Sequence, residues 1–173
     1  VEYHRHLTYF LYILLYKPKG VVTTLRDPQG RKTISDFIKD IPQRVYPVGR
    51  LDYNTEGLLI LTNDGELTHA LIHPSKKINK IYSAKISGQA SEEKLDLLRA
   101  GVQLEDGMTA PALIQRKAYD KIKNETSIEI TIHEGRNREI RRMMEYLGKR
   151  VYSLKRISIG NIGLKDMPRG SYR

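Results

Sequence analysis

The apolar positions of this chain fall into short runs and alternations, with one clear helical stripe among them. Leu58-Leu59-Ile60-Leu61 is a continuous apolar run of strand length, and Asn63-Asp64-Gly65 closes it with turn chemistry. Residues 7–16 form the most apolar stretch. It holds three tyrosines and no helix breaker, and it is too short to span a bilayer, so it predicts a buried strand. Lys17-Pro18-Lys19-Gly20 ends that strand, because proline has no N–H for a central ladder. Residues 80–86 alternate as a half-buried strand does, and residues 112–119 and 127–133 predict a strand pair joined by a polar loop. Helical signals lie between these. Residues 33–39 predict a short helix with Thr33 or Ser35 as N-cap. Residues 66–73 place Leu67, Ala70 and Leu71 on one face. Residues 91–100 carry a Ser91 cap, Leu95 and Leu98 facing inward, and Gly101 as the stop. Ile140, Met143, Met144 and Leu147 recur at i, i+3, i+4, i+7, which defines the buried stripe of a last helix that Gly148 terminates.

At 173 residues the chain can bury one core, or the cores of two small subdomains. Charge changes the picture most. Thirty Lys and Arg against twenty Asp and Glu give +10, which favours a polyanionic partner. The excess is concentrated: residues 136–156 hold eight Lys or Arg and two Glu, a net +6 in 21 residues. There are no cysteines, so disulfides and thiolate metal sites are excluded, and an intracellular home fits. His69 and His73 stand at i,i+4, but HALIH lacks the glutamate of H-E-x-x-H and no third ligand is apparent, so no metal is expected.

The candidate chemistry centres on VGRLDYNTEGLLILTNDG, residues 48–65. Asp52 follows an arginine and precedes an Asn54-Thr55 turn whose far end is tied to the apolar run. Catalytic groups are often held this way, on a loop fixed by a buried element. Asp52 could equally serve only to bond its own turn. In the basic segment, at about 100° per residue, Arg141 lies at the border of the apolar stripe and Arg142 nearly opposite it. A border arginine can enter a cleft beside the core, whereas one opposite the stripe meets solvent or phosphate.

GRLDYNTEGLLILTNDGEL resembles the motif around the catalytic aspartate of the ribosomal-RNA pseudouridine synthases, in their RsuA/RluB branch, and that aspartate falls on Asp52. YKPKGVVTT followed by DPQGRKT resembles the first family motif. EGRNREIRRM resembles the motif whose active-site arginine falls on Arg141, and LKRISIG the last motif, whose leucine, here Leu154, lines the base pocket. The strand at residues 80–86 places Tyr82 where the family's base-stacking tyrosine lies. The resemblance implies an α+β fold: a mixed, mostly antiparallel sheet flanked by helices, in two subdomains around a central cleft. It implies conversion of a specific uridine to pseudouridine in ribosomal RNA, with a lean toward the large subunit and no cofactor. Asp52, Arg141 and Tyr82 are the expected catalytic set. Arg50, Leu154, Lys17, Lys19, Arg136, Arg138 and Arg142 are the expected substrate contacts, with ribosomal RNA or a ribosomal assembly intermediate as partner. A cytoplasmic monomer without membrane association is expected. Family members often carry an S4-like RNA-binding domain ahead of the catalytic part. Here residues 1–173 read as the catalytic domain, with residues 1–6 as a linker remnant, and the S4-like domain is expected to be absent.

Two other readings use the same residues. A non-catalytic RNA-binding module would explain the charge and the tyrosines and leave Asp52 dispensable. A glycosidase could use Asp52 and Glu56 as a carboxylate pair, but the chain has no tryptophan for sugar stacking and its charge is wrong for a neutral polysaccharide.

Overall fold

The computed structural model describes residues 9–173. In chain order the elements are β1 (Tyr12–Lys17), β2 (Tyr46–Pro47), β3 (Glu56–Thr62), α1 (Gly65–Ile72), β4 (Lys80–Ser87), α2 (Glu92–Ala100), β5 (Gln103–Leu104), β6 (Gly107–Met108), β7 (Leu113–Asp120), β8 (Glu125–Ile132), α3 (Glu139–Tyr146), β9 (Val151–Ile159) and β10 (Ile162–Gly163). Eight strands form one sheet in the order β1-β3-β9-β4-β8-β7, with β2 beside β3 and β10 beside β9; β5 and β6 make a separate small hairpin. Only β3 and β9 pair in parallel, and they do so over two residues on each side, Glu56 opposite Lys155 and Gly57 opposite Arg156. The α+β class and the mostly antiparallel sheet are therefore as expected.

The run Leu58 to Leu61 is continuous because β3 is covered on both faces. Leu59 and Leu61 join a cluster with Ile13, Leu15, Val21 and Ile34, while Leu58 and Ile60 join another with Tyr16, Val48 and Ile159. A third and larger core packs α2 and α3 on β4, β8 and β9, and contains Ile86, Leu95, Leu98, Ile130, Met143 and Met144. Tyr82 touches this core and the first one, so it sits at the seam between the two halves. The seam depends on Gly57. Its φ is +123°, and a Cβ there would lie 2.2 Å from the Arg156 carbonyl oxygen and 2.5 Å from the Arg156 nitrogen. No other residue allows β3 and β9 to approach this closely.

Three sequence expectations shift. β1 begins only at Tyr12, and Tyr9 and Phe10 are exposed, because its partner β3 ends at Thr62 opposite Tyr12. Residues 7 and 8 of the predicted strand lie outside the described residues. Residues 33–39 contribute a single 3-10 turn, Ile34–Phe37, in which the Asp36 carboxylate accepts the Thr33 N–H at 2.9 Å. In α1 none of Leu67, Ala70 and Leu71 is fully buried. That helix packs through Leu71 on the edge of a core and turns its last residues toward the cleft. Its start is well made: Asp64 Oδ1 accepts the N–H groups of Glu66 and Leu67 at 3.1 and 3.2 Å. The stripe of α3 is as predicted, with Ile140, Met143, Met144 and Leu147 buried. Among the described residues no helix is long and apolar enough to cross a membrane.

Candidate active site

A cleft of about 1040 Å³ opens along the seam. The loop carrying Asp52 forms one wall, and β4, β9 and the start of α3 form the other. Asp52, Tyr82, Arg141, Leu154, Arg50, Arg136 and Arg138 all line it. Leu154 and Tyr82 give it an apolar flank, since Leu154 is buried and Tyr82 is half-buried.

The Asp52 loop is held by its backbone. Thr23 Oγ1 donates to the Leu51 carbonyl at 2.6 Å and accepts the Leu51 N–H at 3.2 Å. The Asp52 carbonyl accepts from Thr55 N–H at 3.0 Å, and the Tyr53 carbonyl from Gly20 N–H at 2.8 Å. Among the described residues the Asp52 carboxylate itself accepts no hydrogen bond and forms no ion pair. The turn is closed without that side chain, which answers the alternative that Asp52 merely bonds its own loop.

Arg141 enters the cleft, as its place at the border of the stripe predicts, but among the described residues it makes no hydrogen bond to Asp52. Its Nη2 donates to the Asn54 carbonyl at 3.0 Å and to Thr55 Oγ1 at 3.2 Å, so one arm of the guanidinium is held by the turn that follows the aspartate. Its Nε is buried without a partner. Burial, with help from Arg138, pushes the guanidinium below its ordinary range, and the Asp52 charge pulls the other way. Arg141 thus braces the aspartate loop and faces Asp52 across the cleft.

Several expected phosphate contacts are engaged elsewhere. Lys17 is fully buried; its Nζ donates to the carbonyls of Pro18 and Val21 at 2.9 and 2.8 Å. Burial lowers it to about 8, opposed by the charges of Asp52 and Glu56. It supports the loop from behind and cannot reach RNA. Arg136 donates from Nε to Glu134 at 3.0 Å and from Nη1 to the Gly107 carbonyl at 3.0 Å, and Nη2 bonds the Met108 carbonyl. That arginine ties the β5–β6 hairpin to the loop before α3. Arg142 forms a two-pronged pair with Asp106 at 2.8 and 3.1 Å, away from the cleft, in place of the solvent or phosphate its helix phase suggested. Arg50, Arg138 and Lys19 are exposed and, among the described residues, make no side-chain hydrogen bond or ion pair. His69 and His73 stack at 4.8 Å, and His73 Nδ1 bonds Ser75 Oγ at 2.7 Å.

Two groups in the cleft escaped the sequence reading. Arg156 is buried at 5 % exposure, donates from Nε to the Leu58 carbonyl at 2.9 Å, and leaves Nη2 without a partner. Its signal was strand alternation: in a strand, Arg156 must share a face with Leu154. The other is a carboxyl pair, Glu134 and Glu139. Glu139 opens α3 and is almost fully buried; burial first, and Glu134 second, raise it to about 7. Burial also works against charge on Glu134, but the Ala110 N–H, Glu139 and Arg136 outweigh it and hold Glu134 below the usual range. Of the two, Glu139 holds its proton to the higher pH, with Glu134 as the neighbouring carboxylate.

This proton has a consequence for stability. Glu139 has its folded value raised from 4.5 to about 7. Between those values the folded chain keeps a proton that the unfolded chain has lost, so this group's contribution falls as pH rises through that window. Glu139→Gln donates to Glu134 at every pH. Its melting temperature should gain on wild type between pH 5 and pH 8, and an equal difference at both pH values would overturn the shared proton.

The family model for RNA pseudouridylate synthase matches residues 11–146. The chain belongs to that family. It is 49% identical over 163 residues to ribosomal large subunit pseudouridine synthase B of Bacillus subtilis (strain 168), covering 94% of this chain and 67% of that protein. It is 50% identical to an RNA pseudouridine synthase of Aquifex aeolicus, covering 94% of this chain and 65% of that one. Against pseudouridine synthase B of Yersinia pestis it is 42% identical over 91% of this chain and 49% of the relative. The chain thus spans between about half and two thirds of the length of these curated relatives. Among solved structures, a pseudouridylate synthase superposes with TM-score 0.84 at 29% identity, covering 97% of this chain and 71% of that one. An H/ACA ribonucleoprotein bound to substrate RNA superposes with TM-score 0.69 at 17% identity, which is a likeness of fold.

Proposed function

We propose that this chain converts a uridine of ribosomal RNA, in the large subunit, to pseudouridine. The observation that carries the reading is a carboxylate, Asp52, held at the head of a basic cleft with neither carboxylate oxygen bonded by the described residues. The reaction breaks the bond between ribose C1′ and uracil N1, turns the base, and joins C1′ to C5. N1 gains a proton and C5 loses one, so the exchange balances without oxidant or reductant. A carboxylate beside the sugar and base can act as nucleophile, or stabilise the cationic sugar while moving protons. The uridine must leave its stack to enter, and Tyr82 with Leu154 provides a ring face and an apolar wall for it. Arg50 and Arg138 line the cleft and, among the described residues, have no side-chain partner, which supports them, with the exposed Lys19 beside the Asp52 loop, as contacts for the backbone around it. A cytoplasmic enzyme acting as a monomer on ribosomal RNA or a ribosomal assembly intermediate fits the charge and the family.

The test follows from the fate of the C5 hydrogen. Large-subunit ribosomal RNA transcribed with uridine tritiated at C5 should release tritium to water on incubation with the protein, and the RNA should keep its mass apart from that exchange. RNA that is bound with no tritium released would leave a binding module and remove the enzyme.

A further inference from the structure

Beside the cleft lies a second, shallower concavity of about 430 Å³. Gly49 and Arg50 line both hollows, so Arg50 is the partition between them. The far wall of the second is Tyr46 and Pro47, and its floor includes Thr24. Tyr46 is 50% exposed and belongs to none of the three apolar clusters. Among the described residues its hydroxyl makes no hydrogen bond. The ring is nonetheless firmly mounted: Tyr46 pairs with Thr62 and Pro47 with Leu61 of β3, and Val48 N–H bonds the Ile60 carbonyl at 2.7 Å. The Arg44 guanidinium lies 5.5 Å from the ring centroid, outside the concavity. No carboxylate lines the hollow, and Arg26, Arg44 and Arg50 stand in or next to it. A rigid, exposed ring in basic surroundings does nothing for the core and suits a nucleobase.

We propose that this concavity is the subsite for the nucleotide next to the isomerised uridine, its base stacked on Tyr46 and its connecting phosphate held by Arg50. The proposal rests on the RNA reading above. The spacing supports it: Arg50 and Asp52 are two residues apart, at most about 7 Å of backbone, so adjacent bases of one strand can occupy the two hollows on either side of the arginine. Stacking tolerates any base, so this subsite contributes affinity and fixes the strand's direction through the cleft, and it does not read sequence.

The experiment compares wild type with Tyr46→Phe, Tyr46→Leu and Tyr46→Ala. A short labelled oligouridylate is titrated with each at several salt concentrations, and tritium release from ribosomal RNA is followed in parallel. Loss of the ring face should weaken oligouridylate binding about tenfold in the Leu and Ala variants, while Phe stays within about twofold of wild type. The salt dependence should keep its slope in all variants, because no phosphate contact is removed. Leu keeps apolar bulk on β2, so a folding defect confined to Ala does not hide the result. Wild-type affinity in both Leu and Ala variants, or a loss accompanied by a shallower salt slope, would overturn the stacking subsite alone. If wild type neither releases tritium nor binds the oligouridylate, the RNA reading itself fails.

Discussion

Asp52→Asn will leave a folded, RNA-binding protein that does not turn over. The substitution keeps the shape of the side chain and removes its charge. Its structural cost is small because the carboxylate accepts nothing from the described residues and the loop is closed by Thr23, Gly20 and Thr55 through backbone atoms. A change of this kind away from any buried network typically stays within about 0.5 kcal/mol. The rate should fall by about a thousandfold or more, the range expected when a carboxylate that acts on protons or as nucleophile is lost. Single-turnover tritium release and a thermal melt of the same preparation decide it. Residual activity within tenfold of wild type would remove Asp52 from the reaction.

Arg141→Lys should be the next most damaging conservative change. Lysine keeps the positive charge near Asp52, but both bonds are made by Nη2 at the tip of a rigid guanidinium, and a flexible ammonium does not hold the Asn54 carbonyl and Thr55 Oγ1 in the same geometry. The turn that fixes the direction of Asp52 is then free to drift, and a misplacement of about 1 Å at a reacting group can cost about a hundredfold in rate. The loss should fall on the single-turnover rate at saturating enzyme, with RNA affinity within about threefold, because Arg141 acts on the loop. Arg142→Lys tests the neighbouring position. Its pair with Asp106 is away from the cleft and partly solvated, where such pairs contribute less than about 1 kcal/mol, so its rate should stay within about twofold. A normal Arg141→Lys beside a damaged Arg142→Lys would move the active-site assignment by one residue.

The parts of the fold that periodicity could reach were legible. An unbroken Leu-Leu-Ile-Leu run needs cover on two faces, and β3 has it; the spacing of Ile140, Met143, Met144 and Leu147 has one helical solution. β9 was not legible as a strand, because Lys155 and Arg156 interrupt its apolar residues. Arg156 is there because one face of the strand lines the cleft, while Lys155, on the other face, lies over the Tyr16 ring. Positions within the site followed from helix phase and motif resemblance, but the partners of the cations did not. Arg136, Arg141 and Arg142 find carbonyls or carboxylates contributed by distant turns, while Lys17 folds back onto the carbonyls of Pro18 and Val21 just after it, and a sequence records neither the carbonyl directions nor the reach of Asp106 to Arg136 and Arg142. The Glu134–Glu139 proton was invisible for the same reason, since it depends on burial that only packing creates.

The place of β9 gives the molecule an order in time. It lies between β3 and β4 in the sheet, with the short β10 also beside it, and among the described residues no other strand joins β3 to β4. A ribosome making this chain adds Asp52 first, then Tyr82, then Arg141, and all three are in the chain before residues 151–159 are added. Domains fold as units as they emerge, so the two walls of the cleft can pack early, but they have no common sheet until the last long strand arrives between them. A product cut short at residue 146 would contain every residue assigned here to the chemistry except the apolar wall, and would have no seam in which to hold a uridine. A cleft able to hold a substrate thus waits on β9, the strand that joins its two walls.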